Sequence, residues 1–461
     1  MKLSLIKCIG FLGLALVISC NTNGQKSKAD EYMEELLRDK KISGAAVVVL
    51  KGSELIFTKN YGYADINKQE AITDSSQFGI MSISKNFIAV AVIQLFDKKL
   101  LDLDAPIRKY LDKLPEQYDN VLIYQLLNHT AGVPDYVEVP GYMAQVDETQ
   151  TPLQVLEPIL GKPLAFKPGE RNAYSNSGYF LLGLLIEKVS GETLGNYLSK
   201  NIFEPAGMKR SFLDDNTVHG KSRIKGYITN NKELKEIAPL NSSQYWAAGA
   251  VVTTKADMIK WNTALRNGSI LPVNEIYQMM QPSKLADGSA GEYGLGFELM
   301  NAPDMKIAGN TGTGVGFNAA NLHFINDSLT VVVLTNTSGS NSTMIAKTIR
   351  DILLNHSEKA TATRQTTKDK LDSVITQLFT DAGKGTVNEA YFKNADTFAK
   401  FKTETLGFIQ SQGGFKGLEQ KGERKNPESI ARKYQVSFEK GNSNWVFILS
   451  ADEKIMAANH M

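Results

Sequence analysis

The chain has 461 residues, 42% hydrophobic and 22% charged, a balance that belongs to folded protein and excludes both a disordered chain and a bundle of membrane helices. Its length implies two or three domains. A formal charge of +2, with Lys and Arg only in short scattered runs, gives no field that implies a nucleic-acid partner.

The first nineteen residues read as a signal peptide: Lys2 and Lys7 precede an apolar run from Ile9 to Ile18 that ends in Ser19 and Cys20. At about ten residues, the run is too short to span hydrocarbon, which needs roughly 20. Val17-Ile18-Ser19-Cys20 resembles the bacterial lipobox, which implies cleavage before Cys20, lipidation of its thiol, export and anchoring to a membrane face. Cys8 falls in the discarded segment, so the mature chain is expected to hold no disulfide. Residues 20–30 are expected to be a polar tether, followed by a short helix from Asp30 to Leu37 with Asp30 as its cap.

A hairpin comes next, from Ala45–Leu50 through the turn Lys51-Gly52-Ser53 to Leu55–Thr58. A second antiparallel pair, Leu322–Ile325 and Leu329–Leu334, lies far downstream and precedes a helical pattern from Met344 to Leu354. If the two pairs join one sheet, with the terminal helices on one face, residues between them form a mainly helical insertion and the site lies at the junction. The first domain is thus assigned to residues 31–356. Residues 357–370, rich in Thr, Ala and Lys, read as a linker. In 371–461, helical patterns (Leu371–Phe379, Ala390–Phe401) precede a hairpin in which Tyr434, Val436 and Phe438, then Trp445, Phe447 and Leu449, alternate with polar residues. This order predicts a small α+β domain, which weakly resembles the cone-shaped domains related to nuclear transport factor 2.

The chemistry-bearing signal is Met81-Ser82-Ile83-Ser84-Lys85, entering an apolar stretch from Phe87 to Phe96 that must be a buried helix. Residues three apart share a helix face, so the Lys85 amine can reach the Ser82 hydroxyl. Burial would lower the Lys85 pKa and let it accept the serine proton. About ninety residues on, Phe166-Lys167-Pro168-Gly169 and Tyr174-Ser175-Asn176 precede another apolar helix, Tyr179–Val189; in an extended segment, Tyr174 and Asn176 would point the same way. A third element, Gly309-Asn310-Thr311-Gly312-Thr313-Gly314-Val315-Gly316-Phe317, precedes the last strands, where its glycines would let a substrate backbone approach a strand edge.

In order and spacing, Ser82/Lys85, Tyr174/Asn176 and the Gly312 strand resemble the three active-site motifs of the serine β-lactamase and penicillin-binding-protein superfamily. Leu126–Gly132, Ala248-Gly249 with Asp257, and Tyr293–Phe297 resemble its class C-type, peptidase S12-like branch, and the resemblance covers roughly residues 32–355. It implies an α+β fold, an antiparallel sheet flanked by helices with a mainly helical insertion. It also implies a serine hydrolase that forms an acyl-enzyme on Ser82, with Lys85 and Tyr174 as base and proton donor and Asn176 as orienting residue. The Ser82 and Thr313 backbone N–H groups would be the oxyanion hole. The expected substrate is a small-molecule or peptide ester or amide in the cell envelope, with esterase, D-amino-acid peptidase and β-lactamase activities all left open; no cofactor and no metal are implied. One departure stands out. The family usually has Lys or His two residues before the third-motif glycine, and this chain has Asn310, which carries no charge and weakens the case for a substrate carboxylate.

His129 is expected to be structural. His219, His323, His356 and His460 lack metal-ligand spacing, and there is no Gly-x-Ser-x-Gly elbow. The Gly312-x-Gly314-x-Gly316 pattern is followed by strands, not by the helix N-terminus a dinucleotide loop needs. The competing reading is a non-hydrolytic envelope lipoprotein that uses the same fold to bind peptidoglycan, peptide or a protein partner.

Overall fold

The structure, a computed structural model, describes residues 9–142, 146–216, 223–230, 233–238, 240–302, 305–354, 370–425, 429–450 and 454–460. Residues 1–8, the Cys20 side chain and nearly all of the expected linker lie outside the described residues. The chain divides into two compact units, Met1–Asn355 and His356–Met461.

The first unit is α+β and is built on a seven-stranded antiparallel sheet. Its strands are β1 (Gly44–Lys51), β2 (Glu54–Asp65), β3 (Glu70–Ala71), β4 (Glu298–Ala302), β5 (Met305–Gly314), β6 (Phe317–Phe324) and β7 (Leu329–Thr335). They lie in the order β3-β2-β1-β7-β6-β5-β4. N- and C-terminal strands therefore meet at the centre, where Val48 of β1 faces Val332 of β7. Apolar runs in β1 and β7 are continuous because this sheet is covered on both faces: Ala46, Val48 and Leu50 pack into the core beneath the helical region, while Ala45, Val47 and Val49 pack into a second core. A fully buried strand reads as an unbroken apolar run for that reason.

The second core is closed by α1 (Ile9–Arg38), through Ala29, Met33 and Leu36, and by the C-terminal helix Ser342–Leu353, through Ile345, Ala346 and Ile349. Helix α1 runs on through the segment expected to be a tether, so Asp30 is not a cap. Its carboxylate instead accepts a 2.6 Å hydrogen bond from Tyr61 Oη and pairs with Lys59 at 3.0 Å, which ties the helix to β2. Among the described residues, no helix is long and apolar enough to cross a membrane.

Between β3 and β4 lies the insertion, led by α2 (Ser84–Asp97) and α3 (Asn176–Ser190), both buried on nearly all sides. It also carries strands too short to show in a sequence pattern: Phe78–Gly79 and Phe212–Leu213 flank Val251–Thr253 in one small sheet.

The second unit has helices Lys370–Gly383, Ala395–Glu404 and Leu406–Ser411 and a four-stranded antiparallel meander. The two expected strands are there, as Ser429–Phe438 and Gly441–Ser450, with Tyr434 opposite Trp445. Phe415–Lys425 and Ile455–His460 flank them. Trp445, Phe447 and Phe379 centre the core of this unit.

Candidate active site

Ser82 sits in a single 3-10 turn, Met81–Ile83, immediately ahead of α2. The turn is strained: Met81 has φ +48°, a left-handed value that is uncommon outside glycine. It persists because its surroundings fix it. The Ile80 N–H donates to the Val251 carbonyl at 3.1 Å, and the Val251 N–H donates to Ser84 Oγ at 3.0 Å, so the strand through Val251 clips the turn from both ends. On the other side, a Cβ on Gly312 would collide with the Ile80 carbonyl oxygen, and one on Gly314 would lie 2.5 Å from Met81 Sδ. This corrects the expectation for the third motif. The space left by Gly312 and Gly314 is taken by the protein's own Met81–Ile83 turn, not by substrate backbone.

Lys85 is 1% exposed. Its Nζ donates to Ser82 Oγ at 3.1 Å, to Asn176 Oδ1 at 2.9 Å and to the Ala248 carbonyl at 2.7 Å. Burial drives its pKa down to about 7, opposed by the nearby Asp135 carboxylate. Asp135 in turn accepts from Asn176 Nδ2 at 2.9 Å and from the Asn176 N–H at 3.1 Å, and its own pKa is raised by desolvation. A relay of hydrogen-bonded groups thus runs from Ser82 through buried Lys85, then Asn176, to buried Asp135.

Tyr174 Oη and Ser82 Oγ share a 2.6 Å hydrogen bond. Tyr174 and Asn176 both reach the site, though not as alternate residues of one extended segment. Ser175 is the extended cap of α3, its side chain accepting from the Gly178 N–H, and Asn176 is already the first helical residue. Desolvation raises the Tyr174 pKa above its ordinary value, against the hydrogen bond to Ser82, so the phenol stays protonated at neutral pH. Its ring rests on His129, with centroids 4.6 Å apart. His129 Nδ1 accepts from the Ser175 N–H at 3.2 Å, and burial, with the Lys85 charge beside it, depresses its pKa to about 3. A neutral imidazole that holds Tyr174 and the α3 cap is a support, not a base.

These groups open on a cleft of about 480 Å3 lined by Ser82, Tyr174, Asn176, Asn310 and Thr313, with Tyr136, Tyr142, Tyr245 and Tyr293 around them. Asn310 Oδ1 accepts from the Glu298 N–H at 3.1 Å, so it presents a neutral amide. Gly312 lies behind the turn as described, and Thr313, which pairs with Asn318 across the β5–β6 hairpin, lines the cleft beyond it. Two participants, Asp135 and Glu298, were not singled out from the sequence, and for Ala248 only the Ala248-Gly249 segment was, not the part its carbonyl plays. Asp135 follows Gly132-Val133-Pro134, and its nearness to the segment Leu126–Gly132 was the available signal. The Ala248 carbonyl is a backbone group and has no residue-type signature. Glu298 is brought to the cleft by edge-strand pairing.

The Beta-lactamase family model matches residues 29–356 of this chain. Penicillin-binding protein 4* of Bacillus subtilis (strain 168) is 26% identical over 329 residues, a match covering 68% of this chain and 72% of that protein. Among solved structures, the octameric penicillin-binding protein homologue from Pyrococcus abyssi has a TM-score of 0.64 at 22% identity, covering 92% of this chain and 96% of that one. The D-amino acid amidase from Ochrobactrum anthropi SV3 has a TM-score of 0.59 at 23% identity, over 73% and 99%. These two likenesses are of fold. Together, family and relatives support a serine-hydrolase type of function. With well over half its length matched, and every residue around Ser82 inside that match, the chain belongs to the Beta-lactamase family.

Proposed function

We propose that this protein is an exported serine hydrolase, anchored through Cys20, that cleaves esters or amides by way of an acyl-enzyme on Ser82. The observation that carries the reading is one oxygen, Ser82 Oγ, within hydrogen-bond range of both a buried amine titrating near neutrality and a protonated phenol.

As Ser82 Oγ attacks the carbonyl carbon, its proton passes to neutral Lys85, directly or through Tyr174. The carbonyl oxygen becomes an oxyanion facing the Ser82 and Thr313 N–H groups, and loss of one such donor typically costs about 2.7–4 kcal/mol. Collapse breaks the bond to the leaving nitrogen or oxygen, which takes the proton back from the Lys85 ammonium by way of Tyr174. Water then attacks the ester, Lys85 again serving as base, and frees Ser82. Asn176 and Asp135 hold the amine on target. Because Asn310 is neutral where the family usually has a cation, the reading favours substrates without a carboxylate at that position, such as simple esters and amides, the class to which amino acid amides belong.

A fluorophosphonate probe tests this. Stoichiometric labelling of the parent, absent in Ser82→Ala and in folded Lys85→Ala, is the expected outcome. Failure of fluorophosphonate to phosphonylate, and of fluorescent penicillin to acylate, the parent would replace the hydrolase with the binding lipoprotein.

A further inference from the structure

Of the described residues lining the cleft, Glu298 alone carries a formal charge. It begins the edge strand β4, where it pairs with Gly309 of β5 on one side and with Tyr293 through an antiparallel bridge on the other. Residues directly opposite in such a pair project from the same face, so the Glu298 carboxylate and the Tyr293 ring stand side by side at the cleft. Glu298 is half-buried, and among the described residues its carboxylate makes no hydrogen bond and no ion pair. Lys347 and Glu292 act on it only at a distance and with opposite sign. Its field reaches Tyr174, the residue hydrogen-bonded to the nucleophile. A desolvated carboxylate without a partner is costly, and its placement beside an aromatic face suits an ammonium group, which both would attract.

We infer that Glu298, with the Tyr293 ring, binds a protonated amine of the substrate a few bonds from the scissile carbonyl, so that the preferred substrates are amino-acid amides or esters with a free α-amino group. The inference rests on the hydrolase reading and narrows it. Where the family usually places a cation to hold a substrate carboxylate, this cleft has neutral Asn310, its oxygen occupied by the Glu298 N–H, and an anion next to it. The polarity of recognition is thereby inverted.

The test compares the p-nitroanilides of D-alanine and N-acetyl-D-alanine at pH 7.0 in the parent, Glu298→Gln and Glu298→Asp, with neutral fluorophosphonate labelling of Ser82 run in parallel. A hydrogen bond to a charged group is worth about 1.5–3 kcal/mol, so the parent is expected to favour the free amine by about tenfold or more in kcat/KM, mostly through KM. The ratio should fall to near one in Glu298→Gln and recover in part in Glu298→Asp. With labelling intact, a parent that shows no preference, or a preference that survives in Glu298→Gln, overturns this inference alone. Absence of labelling overturns the hydrolase reading, and this inference with it.

Discussion

Lys85 can work as a base only because burial has removed most of the cost of deprotonating it. An exposed lysine titrates near 10.4 and would be almost wholly protonated at neutral pH; this one, brought to about 7, is an amine for about half the time there. The direction follows: lowering the pH through 7 protonates Lys85 and removes the acceptor for the serine proton. The acylation rate should rise with pH, with an apparent pKa near 7 and a plateau above about 8, and lie about 100-fold below that plateau at pH 5. Tyr174, held above its ordinary value, should add no second rise below pH 10. Stopped-flow acylation across pH 5–9 checks this, and a flat profile would remove Lys85 from the role. At this scale the site was legible where identity and spacing coincide, as in Ser82/Lys85 and Tyr174/Asn176. It was not legible where a partner is a backbone oxygen, as at Ala248, or a carboxylate delivered by tertiary contact, as at Asp135 and Glu298.

Between elements, the decisive contact is the strand β5 against the Met81–Ile83 turn. Gly312 and Gly314 leave room for the Ile80 carbonyl and the Met81 side chain, and a left-handed Met81 aims Ser82 into the cleft. A methyl group at Gly312 would force the two apart. Overpacking of this kind costs about 1–3 kcal/mol, and a displacement of about 1 Å at a reacting group can cost about 100-fold in rate. Gly312→Ala is therefore expected to stay folded, lose a few degrees in melting temperature and label with fluorophosphonate about 100-fold more slowly. Parent-like labelling would show that the strand does not position the turn. The sequence pattern found this strand but assigned its glycines to the substrate, since nothing in a Gly-x-Gly run tells which backbone comes close. Helices α2 and α3 were legible as long apolar runs. The short strands Phe78–Gly79 and Phe212–Leu213 were not, because two residues make no pattern.

Across the larger unit, two cores on opposite faces of one sheet hold the fold. Their alternation is visible in the register but hidden in the sequence, where Ala45–Leu50 of β1 and Val331–Leu334 of β7 are unbroken apolar runs. The sheet also buries His323 in β6, beneath the insertion: Nδ1 lies 3.1 Å from Thr330 Oγ1, Nε2 has no hydrogen-bond partner among the described residues, and burial with the Arg266 charge lowers its pKa to about 3. His129 behaves alike, its pKa lowered to about 3 by burial and the Lys85 charge. Unfolded, each would titrate near 6.5. A group whose folded pKa is depressed binds more protons in the unfolded chain, so its contribution is present above pH 6.5 and is lost progressively as the pH falls from there toward 3. Each histidine adds a slope of up to about 1.4 kcal/mol per pH unit in that window. Asp135 and Glu298, raised by burial, protonate early in the folded state and work in the opposite sense, so the informative quantity is the difference between parent and variant. Urea unfolding at pH 7.0 and 5.0 should show the parent losing more stability than His323→Gln, by about 2 kcal/mol over those two pH units. Equal losses would mean that His323 is already protonated, or already solvated, in the folded protein.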